Sequence, residues 1–481
     1  MRRSPLLLLA ALLLSAACQR KASLPPRPSV SLEADQTRPQ AVWLQMEPVA
    51  LLHKYVRLQT TDAKGERPGA ELLKSFFDCD GIENEIVCPA PERCNLLARL
   101  PGRRREGALL LLNHIDVAEA FPELWKDARP FDGTIKLGYL YGRGAYDMKS
   151  LALAQALAMR RLKREGIVPG SDILFLAEAS EELGQEWGSR WLLEHRPEWF
   201  QGVGAVLNEG GDAEMILRTV RFWGIENVQA GYGLIEFESR DRDRLKALAS
   251  SWEKIQTETV EPLPEVVLGF DMLANHLVHP LTDPLRHLDR VRRNRDELAA
   301  LPDRYATFLE SRIKWFGPFP FPHQATDNFR NFVVVSTPPG ISSDRYVEPI
   351  LKDAASRPGI RVTQQFSSGL SPASPYLEAE GKLTPFLEMI RRVTEGRYPG
   401  VPFGPIPTFG GVTTSIYFRR LGIPAYGYPT VPANITDSAR RHGNDERIFL
   451  RDYLNGIDLY CDILEEFALN HQNLSVSTTG K

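Results

Sequence analysis

The chain has 481 residues, a net charge of −3, 43% hydrophobic residues and 25% charged residues. That length exceeds what one apolar core normally serves, so two domains are expected, and the composition is that of an ordinary globular protein. The near-neutral balance carries no basic stripe, which argues against nucleic acid as a partner; the short clusters Arg103-Arg104-Arg105 and Arg440-Arg441 read as solvated loops.

In chain order, Arg2 and Arg3 precede an apolar stretch from Leu6 to Ala17, too short for a bilayer span and suited to a secretory signal. It ends Ser15-Ala16-Ala17-Cys18, small residues before a cysteine that resemble a bacterial lipobox, with Ser15 where Leu is usual. Residues 1–18 are therefore expected to be a signal that leaves a lipidated Cys18, so that the protein is exported and meets a membrane only through that anchor. Gln19 points to the outer membrane of the cell envelope; the alternative is cleavage after Ala17 and a soluble periplasmic or secreted product. Residues 19–40 read as a polar, Pro-rich flexible tether. Cys79, Cys88 and Cys94 lie close enough for a local disulfide in an oxidising compartment, with free buried thiols as the alternative. Together with Cys461 their spacing matches no zinc pattern.

From 41 to 221 helical and strand patterns alternate. Residues 51–59 and 70–77 read as helices, 108–113 as a buried strand, 148–164 as a helix, and 173–177 and 202–208 as strands. Such alternation predicts an α/β fold with a mixed, largely parallel sheet flanked by helices. From 222 to 382 the texture changes to strands at 233–239, 331–336 and 359–366. Charged helical stretches at 241–256 and 271–314 lie between them, the second broken by Pro318, Pro320 and Pro322. This block reads as a smaller α+β lid domain inserted into the first. From 383 to 472 the first domain resumes, with helices at 385–394 and 450–467 and a strand at 425–428, and 473–481 reads as a disordered tail.

Five segments place acids and histidines at predicted strand ends, where α/β sheets build their sites. His114 and Asp116 alternate onto one face of a strand, so that the carboxylate could orient the imidazole of a metal ligand. Asp147 follows Gly142-Arg143-Gly144 and precedes a helix, where it could be no more than a cap. Glu181 and Glu182 are adjacent after an apolar strand; as buried neighbours they would repel, and a cation on one of them removes the difficulty. Glu209 ends another strand, and His442 lies far downstream. Each alone has a dull explanation, and the conjunction does not.

Taken together, the segments resemble the zinc exopeptidase and deacylase family that includes glutamate carboxypeptidase, aminoacylase, acetylornithine deacetylase and succinyl-diaminopimelate desuccinylase. The likeness extends to Trp125, to Pro130-Phe131 and to the stretch from Gly422 to Gly427. It implies a two-zinc hydrolase of peptides or N-acyl amino acids, with cobalt or manganese as other metals for the same ligands. His114 and Glu209 would hold one ion, Glu182 and His442 the other, and Asp147 would bridge them. Glu181 would be the general base and Asp116 the support of His114.

The pattern departs from the family in three places. No His-Ser pair follows the strand 233–239; Arg240-Asp241 stands there, and His276, His279, His287 or His323 could replace it, His276 and His279 being carried forward as candidates, which leaves the oligomeric state open. No Asp follows Gly410-Gly411, so Thr413 and Thr414 become candidate substrate contacts. No Asp-x-Arg precedes Pro339-Gly340. Two other readings remain at this point: an aminopeptidase of the related two-zinc type, which the block 222–382 disfavours, and a binding protein without turnover, which Glu181 disfavours.

Overall fold

The computed structural model describes residues 32–182, 184–252, 257, 259–276, 281–320, 328–408 and 411–469. The expected signal with Cys18, most of the tether, His279 and the expected tail lie outside these residues.

Helices α1 (Glu47–Val56) and α2 (Arg67–Asp78) lead into strands β1 (Glu83–Ala90), β2 (Arg93–Leu100) and β3 (Arg104–His114). Helix α3 (Lys149–Glu165) then alternates with β4 (Ser171–Glu178) and β5 (Val203–Asn208). The chain next builds β6 (Gly231–Ser239), α4 (Arg242–Trp252), β7 (Arg312–Pro320), β8 (Phe329–Thr337), α5 (Asp344–Ser356) and β9 (Arg361–Ser367). It returns through β10 (Ala425–Gly427) and closes with α6 (Leu450–Leu469).

The main sheet runs β1-β2-β4-β3-β5-β10. Its last four strands are parallel and the β1–β2 hairpin is antiparallel, the mixed, largely parallel sheet the alternation implies. Every residue of β4 is buried, as a strand covered on both faces requires. Helices α3 and α6 cover one face through side chains such as Leu153, Leu157, Ile457 and Leu464. On the other face Trp199, Phe200 and Phe418 pack against Leu110, Leu112 and Leu176. A Cys88–Cys94 disulfide staples the β1–β2 turn, and Cys461 is a buried thiol. Among the described residues no helix is long and apolar enough to cross a membrane.

The inserted domain has an antiparallel sheet in the order β7-β8-β6-β9. Helices α4 and α5 pack on it through Leu245, Leu248, Val347 and Ile350, against Ile235, Phe237, Val333 and Val335. A second apolar cluster forms around Phe270 and Leu273 of the helix Pro264–His276. The stretch expected to stay helical to 314 ends instead in β7, a strand that carries Pro318 and Pro320. That strand lies at the sheet edge, and its pairing skips from Phe316 to Phe319. Only an edge or an irregular register tolerates a residue with no N–H to give the ladder.

The chain crosses between the domains twice, and each crossing is fastened at its root. Arg419 pairs with Glu226 at 2.8 Å, both fully buried. The Gln229 amide accepts the Thr413 N–H at 3.0 Å and donates to the Thr413 carbonyl at 3.1 Å. On the return, Ser374 Oγ accepts the Ala425 N–H at 2.9 Å and donates to the Ala425 carbonyl at 2.7 Å.

Candidate metal centre

The parallel strands point their carboxyl ends to one edge of the sheet, and the loops there converge. His114 is the last residue of β3, Glu181 and Glu182 lie in the turn after β4, and Glu209 follows β5. Asp147 stands two residues ahead of α3, and His442 lies in the loop before α6. Two ligand groups result, His114 with Asp147 and Glu209, and Asp147 with Glu182 and His442.

His114 Nε2 lies 3.3 Å from Asp147 Oδ1 and 3.6 Å from Glu209 Oε1. His442 Nε2 lies 3.1 Å from Asp147 Oδ2 and 3.0 Å from Glu182 Oε1. Each oxygen of Asp147 thus faces a different group, which is the arrangement of a bridging carboxylate. Glu182 Oε1 is buried with no donor in hydrogen-bonding geometry, and a buried lone pair of that kind is satisfied by a cation. Imidazole and carboxylate donors in this proportion suit zinc and accept cobalt or manganese. The residues present therefore fit a pair of divalent ions.

The electrostatics agree. Burial, then the Asp147 charge, pushes the Glu209 carboxyl up to about 8. Burial and the neighbouring Glu209 hold Glu181 well above the usual carboxylate range. The Asp147 carboxylate, then that of Glu182, pushes His442 up to about 10. For His114, burial acts downward, but contacts with Asp116 and Asp147 raise it well above the ordinary imidazole value. Burial works against the charge on Asp147, yet His114 and His442 hold it well below the usual range. Burial and the crowding of carboxylates around two imidazoles together produce these shifts, and a pair of cations would relieve the crowding.

The profile of the peptidase family M20/M25/M40 matches residues 110–466, a span that contains all of these side chains. The chain belongs to this family. Aminoacylase-1 from Sus scrofa is 25% identical over 434 residues, covering 87% of this chain and 95% of the relative. A probable succinyl-diaminopimelate desuccinylase from Staphylococcus aureus is 34% identical over 142 residues, 30% of this chain and only 35% of that relative's length. Among solved structures, an M20 family metallo-carboxypeptidase from Sulfolobus solfataricus matches with a TM-score of 0.65 at 15% identity, covering 88% of this chain and 99% of the other. Human carnosine dipeptidase 1 matches with a TM-score of 0.63 at 16% identity, covering 91% and 100%. At such identities the likeness shows the fold.

Within this M20-family chain Glu181 belongs to neither ligand group, and its Oε1 accepts the Gln185 amide at 3.1 Å. The preceding Ser180 takes the left-handed backbone conformation, φ 59°, as does His442 at 56°. Asp116 supports the site differently from the expectation. His114 Nδ1 meets the Asp116 main-chain carbonyl at 2.9 Å, whereas the carboxylate is 3.6 Å away. That carboxylate accepts the N–H groups of Glu181 at 3.1 Å and Glu182 at 2.9 Å, so it fixes the turn that carries both. The physical reason is that two adjacent N–H groups in a tight turn offer it better partners than one imidazole edge.

The remaining candidates are engaged within the protein. Thr414 gives its hydroxyl to Glu178 at 2.5 Å, Thr413 is tied to Gln229, and His276 stacks on Phe222 with ring centroids 5.5 Å apart. Sequence reasoning missed Glu446 and Arg143. The Glu446 carboxylate accepts the N–H groups of Tyr146 at 2.9 Å and Asp147 at 3.1 Å, and pairs with Arg143 at 2.6 Å. Arg143 in turn donates to the His442 carbonyl at 3.0 Å, so one buried pair positions both Asp147 and His442. Arg441, also missed, brings its Nε to 3.6 Å from Asp147 Oδ2. The only local signal for these was their place in the quoted segments, beside residues with assigned roles.

Proposed function

We propose that this chain is a two-zinc hydrolase of amide bonds, acting on peptides as a carboxypeptidase or dipeptidase, or on N-acyl amino acids as a deacylase. The observation that carries the reading is Asp147, whose two oxygens face separate His-and-Glu groups. His114, Asp147 and Glu209 would hold one ion, and Asp147, Glu182 and His442 the other. Such ions, when bound, supply Lewis acidity that polarises an amide carbonyl and acidifies water.

The chain's own residues do the rest. Glu181, outside both ligand groups and with a raised affinity for protons, accepts a proton from the attacking water at its carboxylate. It then gives that proton to the leaving nitrogen. Gln185 holds one of its oxygens, and Asp116 holds the turn beneath it. The inserted domain favours this reading over the aminopeptidase type, and Glu181 favours it over a binding protein without turnover. Export with an anchor at Cys18 belongs to the same proposal. The leader pattern supports it, as does the Cys88–Cys94 bridge, which needs an oxidising compartment to persist.

The test is bound-metal analysis of the purified protein alongside a panel of dipeptides and N-acyl amino acids. Glu181→Gln is expected to lower turnover by about 100-fold to 10,000-fold, the range for a general base, with metal content unchanged. Lost metal in that variant would overturn the division between base and ligand. Metal in the native protein without turnover on any substrate would favour the binding protein.

A further inference from the structure

Among the described residues, none has so far been assigned as the donor for the substrate's carbonyl oxygen. The position just after β6, where the family resemblance places a histidine, is spent on a helix start: Asp241 Oδ1 accepts the N–H groups of Asp243 at 3.0 Å and Arg244 at 3.3 Å. His276 is packed on Phe222.

A hydroxyl from the catalytic half stands in a suitable place. The short helix Ser415–Arg420 begins beside the end of β4, where its N-cap Thr414 is bonded to Glu178. Tyr417 follows Thr414 by three residues and so shares its face of the helix, toward the turn that carries Glu181. The side chain is 8% exposed, yet its hydroxyl makes no hydrogen bond to any described residue. It borders a cavity of about 780 Å³ that lies between the two domains. One wall comes from Gly184, Trp187 and Arg190, just beyond the Glu181 turn, and the opposite wall from Phe366 and Gly369 of the inserted domain. A largely buried tyrosine whose oxygen has no partner among the described residues, opening on a cavity that adjoins the turn of the proposed base, is a donor held ready for something that enters the cavity.

We propose that Tyr417 donates its O–H to the carbonyl oxygen of the scissile amide and stabilises the negative charge that gathers there as water adds. No bond to the tyrosine is made or broken; the hydrogen bond strengthens as the oxygen gains charge, so its contribution falls on the transition state rather than on substrate binding. Burial above all, with Arg190 and Arg420 acting downward and Glu178 and Glu181 upward, places this hydroxyl at about 12, so it remains protonated through the neutral range. The proposal rests on the reading of the chain as an amide hydrolase.

The experiment is Tyr417→Phe, which keeps the ring and its packing, compared with the native protein on whichever substrate of the panel is turned over. The expected result is a fall in kcat of about 100-fold to 1,000-fold, the range for loss of one such donor, with KM within about threefold. Bound metal and the thermal midpoint stay at native values. A phosphinate analogue of the tetrahedral species loses affinity by a similar factor, while binding of the amino acid product holds. Native kcat in the variant, or a rise in KM alone, would overturn the role. Absence of hydrolysis by the native protein across the whole panel would instead remove the amidase reading, and this inference with it.

Discussion

The main sheet and the inserted sheet are both well-packed layers under helices, but only the first delivers chemistry. Strands β3, β4 and β5 run parallel, and each ends on or beside a ligand, at His114, Glu182 and Glu209. In the inserted domain β6 to β9 pair antiparallel, and none of its described residues joins either ligand group. The cause is topological. Parallel strands send all their carboxyl ends to one edge, where side chains far apart in sequence meet, whereas antiparallel neighbours point theirs to opposite edges. Chemistry therefore concentrates in the half with the parallel strands, while the other half shapes the cavity above it.

The sharpest way to break that division is Asp147→Ala. Because one carboxylate serves both groups, metal occupancy should fall at both together, and turnover by roughly three orders of magnitude or more, the equivalent of several kcal/mol of lost charge stabilisation. Two fully occupied sites in that variant, read by metal analysis, would refute the bridge.

A smaller effect is expected at Glu446→Ala, which leaves Arg143 buried and unpaired. Removing one partner of such a pair costs about 3–5 kcal/mol, to be read by denaturant unfolding. Metal affinity should drop with it, because the Tyr146 and Asp147 N–H groups lose their acceptor. An unchanged midpoint would mean that the pair does not hold the site.

The smallest effect belongs to the other half. Ile235→Val trims one methylene from the fully buried core of the inserted sheet, a loss of about 0.5–1.5 kcal/mol. Metal content and kcat should not move. A change in either would show that the two halves are less separable than their topology implies.

The residues that gather at the sheet edge stand out in the sequence more plainly than some of the elements around them. His114, Asp147, Glu182, Glu209 and His442 were readable because each sits in a short segment with its own signature, and convergence followed once the strands were assigned. The apolar runs at β3, β4 and β5 were equally plain, since parallel strands covered on both faces admit almost nothing else. Strand β7 was not, because prolines ordinarily argue against a strand and only its edge position makes them acceptable. Helix α5 was hidden by Pro349 within it; that residue is exposed, which leaves the freed carbonyl of the preceding turn open to water. Glu446 and Arg143 form a pair separated by about three hundred residues, and no local pattern announces such a partnership. Strand alternation puts Asp116 on the face of His114, but the bonds of its carboxylate to two turn N–H groups depend on the exact path of the chain after β4.

The bonds at Glu226, Gln229 and Ser374 bear on how the cleft can breathe. They clamp the polypeptide where it leaves the catalytic half and where it comes back, so the upper domain hangs from an anchored axle rather than a loose strap. Any swing of that domain would fall on the few residues beyond those clamps. The spacing around Asp147 would then be kept while the cleft opens and closes.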